Sequence, residues 1–131
     1  FYTMAHQPWK TADLASRIFK EFYFNDPNGL AGNEDVGQMS AWYILSSLGF
    51  YQAEPANPRF WFGKPAFKNA SVKVPGGTFN VTAEGLSGEN RYIQSITLNG
   101  EQYKLPYIEY VDIFRGGNLV FKMGPEQTVW Y

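Results

Sequence analysis

Between residues 11 and 22 the apolar positions recur at a helical interval. Leu14, Ile18 and Phe22 form the stripe, Ala15 and Phe19 widen it, and Thr11 is placed to cap the helix. The run Asn25-Asp26-Pro27-Asn28-Gly29 is rich in helix breakers and predicts a turn. A second helix is expected from Asp35 or Val36, because Asp35 and Gln38 have the spacing of a capping box. Met39, Trp42, Tyr43, Leu45 and Leu48 continue it, and Gly49 stands where a left-handed cap belongs. The stretch Trp42-Tyr43-Ile44-Leu45 is apolar on nearly all sides, which favours burial within a larger helical assembly.

After Pro55 the helical period stops. Short β-branched and aromatic runs follow at 60–62, 71–74, 78–83, 92–98, 107–110 and 118–123. Val72/Val74, Phe79/Val81/Ala83 and Leu119/Phe121/Met123 alternate as strands with one buried face do. Pro75-Gly76-Gly77, Asn99-Gly100 and Gly116-Gly117 separate them, and Asn99-Gly100 is the strongest hairpin signal. The expected class is α+β: two helices in residues 1–55, then an antiparallel, sandwich-like β unit in 56–131.

Composition narrows the function classes. The 131 residues suit one domain, and Lys+Arg 11 against Asp+Glu 12 leaves no basic footprint for nucleic acid or an anionic membrane. With 11 Phe, 9 Tyr and 4 Trp, disorder is not expected. The absence of cysteine excludes disulfides, thiolate metal sites and cysteine nucleophiles. No apolar run reaches the about 18 residues of a membrane span. The opening residues lack a basic-then-apolar signal design, and the chain reads as beginning partway into something larger.

Chemistry concentrates in Gly32-Asn33-Glu34-Asp35-Val36-Gly37-Gln38-Met39-Ser40-Ala41-Trp42. Two adjacent carboxylates sit at a loop-to-helix junction, with amides at Asn33 and Gln38 and an aromatic at Trp42. A carboxylate can activate water, amides can bind hydroxyls, and an aromatic face can stack on a pyranose ring. The same residue types also serve a plain helix start, with Asp35 as cap and Glu34 solvated. His6 reads as a residue of a terminal loop, while Trp9 and Trp42 read as packing residues that could also line a sugar site.

The string from Gly32 to Tyr43, continued by Ser46-Ser47-Leu48-Gly49-Phe50-Tyr51, resembles the signature of glycoside hydrolase family 92. Further blocks match in order: Gln7-Pro8-Trp9-Lys10-Thr11, Tyr92-Ile93-Gln94-Ser95, Leu98-Asn99-Gly100, and Gly116-Gly117 through Met123-Gly124-Pro125. Ala12, Val36 and Tyr110 depart from the family pattern. The resemblance implies a bacterial, calcium-dependent, inverting exo-α-mannosidase, many members of which cleave α-1,2 links. It implies an (α/α)6 barrel with β-sandwich domains, of which this chain would be the last portion, its two helices a remnant of the barrel.

Carried over position by position, Asp35 is the first choice for general base and Glu34 the second. Asn33, Gln38 and Trp9 are the implied sugar contacts. The family's general acid, a glutamate far upstream, has no counterpart here, so the isolated chain is expected to be inactive. Calcium is implied as cofactor, with Asn33 and Gln38 as candidates for partial ligation only. The implied partners are a mannose-containing glycan and the remainder of the barrel, in a secreted or periplasmic enzyme. The competing reading is a non-catalytic β-rich module that at most binds carbohydrate weakly. Asn69-Ala70-Ser71 and Asn80-Val81-Thr82 fit the glycosylation acceptor pattern, which also arises often by chance.

Overall fold

Pro8 opens the first helix. Its missing N–H would have no intrahelical partner there in any case, and its fixed φ suits the first turn. The computed structural model describes residues 2–131, and places a 3-10 turn at Tyr2–Ala5 before helix α1, Pro8–Glu21. The helix therefore starts before Thr11, which lies inside it instead of capping it. The Thr11 hydroxyl oxygen accepts the Thr3 N–H at 2.9 Å, and the buried Thr3 hydroxyl donates to the Phe62 carbonyl at 2.8 Å. These bonds pin the N-terminal turn onto the β unit. The sequence stripe on α1 is only partly covered, since Leu14 and Phe22 stay 42 % and 43 % exposed.

Helix α2 spans Gln38–Ser47, and Gly49 follows it with its N–H on the Ser46 carbonyl. The chain then enters strand β1, Phe50–Tyr51, which pairs antiparallel with β2, Arg59–Phe62. This pairing crosses the expected division at residue 55. Strand β7, Tyr107–Glu109, completes a small sheet in the order β1-β2-β7.

The second sheet holds β3 (Asn69–Val74), β4 (Gly77–Glu84), β5 (Tyr92–Leu98), β6 (Glu101–Gln102) and β8 (Gly117–Gly124). Its order is β3-β4-β8-β5-β6. The β5–β6 hairpin turns at Asn99 and Gly100, whose φ values of 53° and 86° are those of a type I′ turn. The β3–β4 hairpin is also as the turn residues predict. One pairing is not: β4 and β8 run parallel, so the sheet is mixed. Hairpin signals cannot show this, because the chain visits β5, β6 and β7 before β8 returns to the middle of the sheet. A short helix α3, Tyr110–Arg115, makes part of that return. At this length it has too few turns to leave a periodic stripe.

The two sheets bury a common core. Phe62 of the small sheet meets Phe121 of the large one edge-to-face at 5.5 Å, and Phe50 meets Phe79 at 6.4 Å. Phe79, Val81, Ala83, Leu119, Phe121 and Met123 all point inward, as their alternation predicts. The α1 helix is tied to this body by the Tyr92 hydroxyl, which donates to Asp13 at 3.1 Å.

Tyr103 packs on Phe62 at 6.1 Å. Burial, then the charges of Asp112 and Glu109 and the neighbouring Tyr107, push its hydroxyl up from 10.0 to about 12. Because the folded-state value is raised, the native chain keeps a proton that the unfolded chain releases first. The contribution of Tyr103 to stability is therefore expected to be level below pH 10 and to fall between 10 and about 12. Melting temperatures measured across that window should show the decline, and Tyr103→Phe should flatten it. An equally steep decline in Tyr103→Phe would assign the effect to other groups.

Candidate functional site

The carboxylate motif sits on a backbone that sequence reasoning does not anticipate. Asp35, Val36 and Gly37 have φ values of 48°, 61° and 85°, a left-handed run that no right-handed helix can include. The helix therefore begins at Gln38, with Gly37 as its N-cap, and not at Asp35 or Val36. A β-branched residue at positive φ is an outlier, and such positions cost on the order of 1–3 kcal/mol each. Val36 is moreover fully exposed, so no side-chain packing compensates.

What braces the turn is Glu34. Its carbonyl accepts the Gln38 N–H at 3.1 Å and the Met39 N–H at 3.4 Å. Its carboxylate Oε1 accepts the Ser40 N–H at 3.0 Å. The capping task expected of Asp35 thus falls on Glu34, from an unusual distance along the chain. Asp35 is exposed, and its carboxylate has no hydrogen-bond partner among the described residues. Asn33 and Gln38 flank it and are also exposed.

Behind the turn lies an aromatic cluster. Tyr23 stacks on Trp42 at 5.6 Å and 17°, and meets Tyr43 at 4.8 Å. Phe19 touches both Trp42 and Tyr43 at 5.5 Å. The Tyr23 hydroxyl donates to the Met39 carbonyl at 3.1 Å. Its pKa is raised, first by burial, then by the negative charge of Glu34 and the presence of Tyr51. A cavity of about 440 Å³ opens beside the start of α2, lined by Tyr23, Phe24, Asn25, Ser40, Tyr43 and Ile44 among others.

The structure thus brings Asn33, Glu34, Asp35 and Gln38 together at one turn, with Trp42 in the aromatic cluster behind it. Trp9 is elsewhere. It lies in the first turn of α1 and lines a small crevice together with Tyr92, Ile93 and Trp130. Roughly 15 Å of helix rise separates it from Phe19, the nearest member of the cluster along α1. His6 is exposed, with its ring 5.5 Å from that of Tyr131. Tyr23 lies outside the sequence motif, and Ser40 lies inside it without a role that its residue type would mark. Tyr23 falls just beyond α1, next to the breaker run, where no period marks it.

Calcium takes six or more oxygens, mostly from carboxylates and carbonyls. Among the described residues no three acidic or imidazole side chains gather as such a shell needs. One of the two carboxylates at the turn is already engaged by the Ser40 N–H. The acidic and imidazole donors among the described residues do not by themselves make up a complete calcium shell. Nor is any helix among the described residues long and apolar enough to cross a membrane.

Comparison with known proteins bears on these features. Residues 1–125 match the model of the glycosyl hydrolase family 92 catalytic domain. The fold superposes on a family GH92 alpha-mannosidase of Bacteroides thetaiotaomicron, BT3965, with a TM-score of 0.87 and 35 % identity over 95 % of this chain and 17 % of that one. That enzyme is also known in complex with mannoimidazole, where the TM-score is 0.88. A family GH92 inverting mannosidase of the same organism, BT2199, gives 0.81 and 34 % identity over 92 % of this chain and 16 % of that one. An uncharacterized secreted glycosidase of Arthroderma benhamiae is 29 % identical over 133 residues, 98 % of this chain and 17 % of its own length. The chain therefore spans about a sixth of the length of these relatives. With the family model covering nearly its whole length, the chain belongs to glycosyl hydrolase family 92.

Proposed function

We propose that the chain supplies the general-base carboxylate, Asp35, of an inverting α-mannosidase that releases terminal α-1,2-linked mannose from glycans. The observation that carries this reading is the free Asp35 carboxylate on a strained, exposed turn, in a chain similar to an inverting mannosidase and to a mannosidase that binds mannoimidazole. An inverting glycosidase needs a water held by one carboxylate on the face opposite the leaving group. A second carboxyl group, roughly 6.5–9.5 Å away, protonates the departing oxygen.

Asp35 takes the water's proton as the glycosidic bond breaks, while Asn33 and Gln38, exposed beside it, offer amides to sugar hydroxyls. Trp9, remote from the turn, has no part in this step. The acid belongs to a segment outside this chain, and the barrel helices of that segment would cover Leu14, Phe22 and Ile44, apolar residues exposed on or beside α1 and α2. Calcium, which the family implies, would be held mainly outside this chain, and no step is routed through it. An exported enzyme fits a glycan substrate and the secreted fungal relative.

The test is the stereochemistry of the first product. In the full-length protein, α-1,2-mannobiose should yield β-mannose first, seen by proton NMR before the anomers equilibrate. Initial α-mannose, or hydrolysis of other α-links in preference to α-1,2, would overturn the reading.

A further inference from the structure

We propose that Glu34 is a positioning residue: bonded through its carboxylate to the Ser40 N–H, it holds the left-handed turn that presents Asp35, and takes no proton from water itself. The inference rests on Asp35 being the base. Three N–H groups of the first turn of α2 converge on Glu34. Two reach its carbonyl, which every substitution keeps; the third, that of Ser40, reaches the carboxylate, which a substitution removes. Strained backbone persists only where its surroundings over-determine it. Here the left-handed run Asp35-Val36-Gly37 lies between Glu34 and the helix that Glu34 grips.

The helix start has a second hold. The Tyr23 hydroxyl donates to the Met39 carbonyl, one residue before Ser40. Glu34 lies near enough to Tyr23 for its charge to help raise the tyrosine's pKa. Glu34 is partly buried and its carboxylate is engaged by the Ser40 N–H, whereas Asp35 is exposed and its carboxylate makes no hydrogen bond among the described residues. One carboxylate is occupied by the backbone and the other is free for a water molecule.

The two roles separate by substitution in the full-length protein. Glu34→Gln keeps an oxygen for the Ser40 N–H, at roughly half the strength of a charged acceptor, and should lose less than about fivefold in kcat. Glu34→Ala leaves that N–H without its acceptor and should lose about tenfold or more in kcat, with KM little altered. If Glu34→Gln is as inactive as Asp35→Asn, Glu34 handles the proton and the proposal is overturned; this comparison decides even where Glu34→Ala fails to fold. Hydrogen exchange at the Ser40 amide judges the clamp without any activity assay. It should quicken about tenfold or more in Glu34→Ala and much less in Glu34→Gln. Unchanged exchange in Glu34→Ala overturns the clamp, whereas full activity in Asp35→Asn with quickened Ser40 exchange would remove the base and leave the clamp standing.

Discussion

Replacing Asp35 with asparagine in the full-length protein is expected to lower kcat by about 100-fold or more, on the proposed role of Asp35 as general base. KM should change little, since the interaction removed acts mainly in the transition state. Stability should stay within about 0.5 kcal/mol, as for other exposed substitutions. The structural reason is specific to this turn. Asp35 has a φ of 48°, and asparagine is among the few side chains that tolerate left-handed backbone. The side chain also makes no hydrogen bond that the fold would miss. Thermal unfolding measured beside initial rates separates the outcomes. Loss of activity together with loss of stability would mean that the carboxylate supports the turn, and full activity would move the base elsewhere.

The same substitution distinguishes catalysis from capping more sharply than the sequence suggests. If Asp35 capped α2, asparagine would also be a good cap and nothing would change. The structure removes that ambiguity by giving the capping bond to Glu34. A carboxylate that is neither capping nor paired, on backbone costly to maintain, is left without a structural duty.

Most of the strands were legible because each has one face on a common core. Phe79, Val81 and Ala83 alternate with Asn80 and Thr82, and period-two patterning of that kind survives any choice of partner. The Asn99-Gly100 turn was legible for a local reason, the positive φ that both residues adopt cheaply. The parallel pairing of β4 with β8 was not, because it depends on a long return path and not on neighbouring residues. The start of α2 departs from the sequence pattern for a conformational reason. Asp35 and Glu34 are equivalent as acceptors in a sequence pattern, and only the left-handed run decides which one meets the helix N–H groups. The uncovered side of α1 was half legible: Leu14 and Phe22 belong to a helical stripe, but nothing in the stripe tells what covers it.

The chain taken alone should release no mannose from α-1,2-mannobiose, with or without added calcium. General acid catalysis of leaving-group departure is worth about 10²–10⁴-fold, and the acid is expected from the part of the polypeptide that the longer relatives possess. The carboxylates at the turn are not expected to supply both roles. Glu34 and Asp35 are adjacent in sequence, Glu34 is tied to Ser40, and inversion needs a separation of roughly 6.5–9.5 Å with room for water. The chain covers 17 % of the BT3965 mannosidase, and most of a sugar pocket is expected from the parts it does not cover. Inactivity through loss of chemistry must be told from inactivity through loss of fold. The core of Phe62, Phe79, Phe121, Ile96 and Leu119 lies wholly within the two sheets, so protected amides in β4, β5 and β8 should persist in the isolated chain. Protected strands with no mannose release is the expected pair of results. Turnover near 1 s⁻¹, an ordinary enzymatic rate, would show that a complete acid–base pair already exists among these residues.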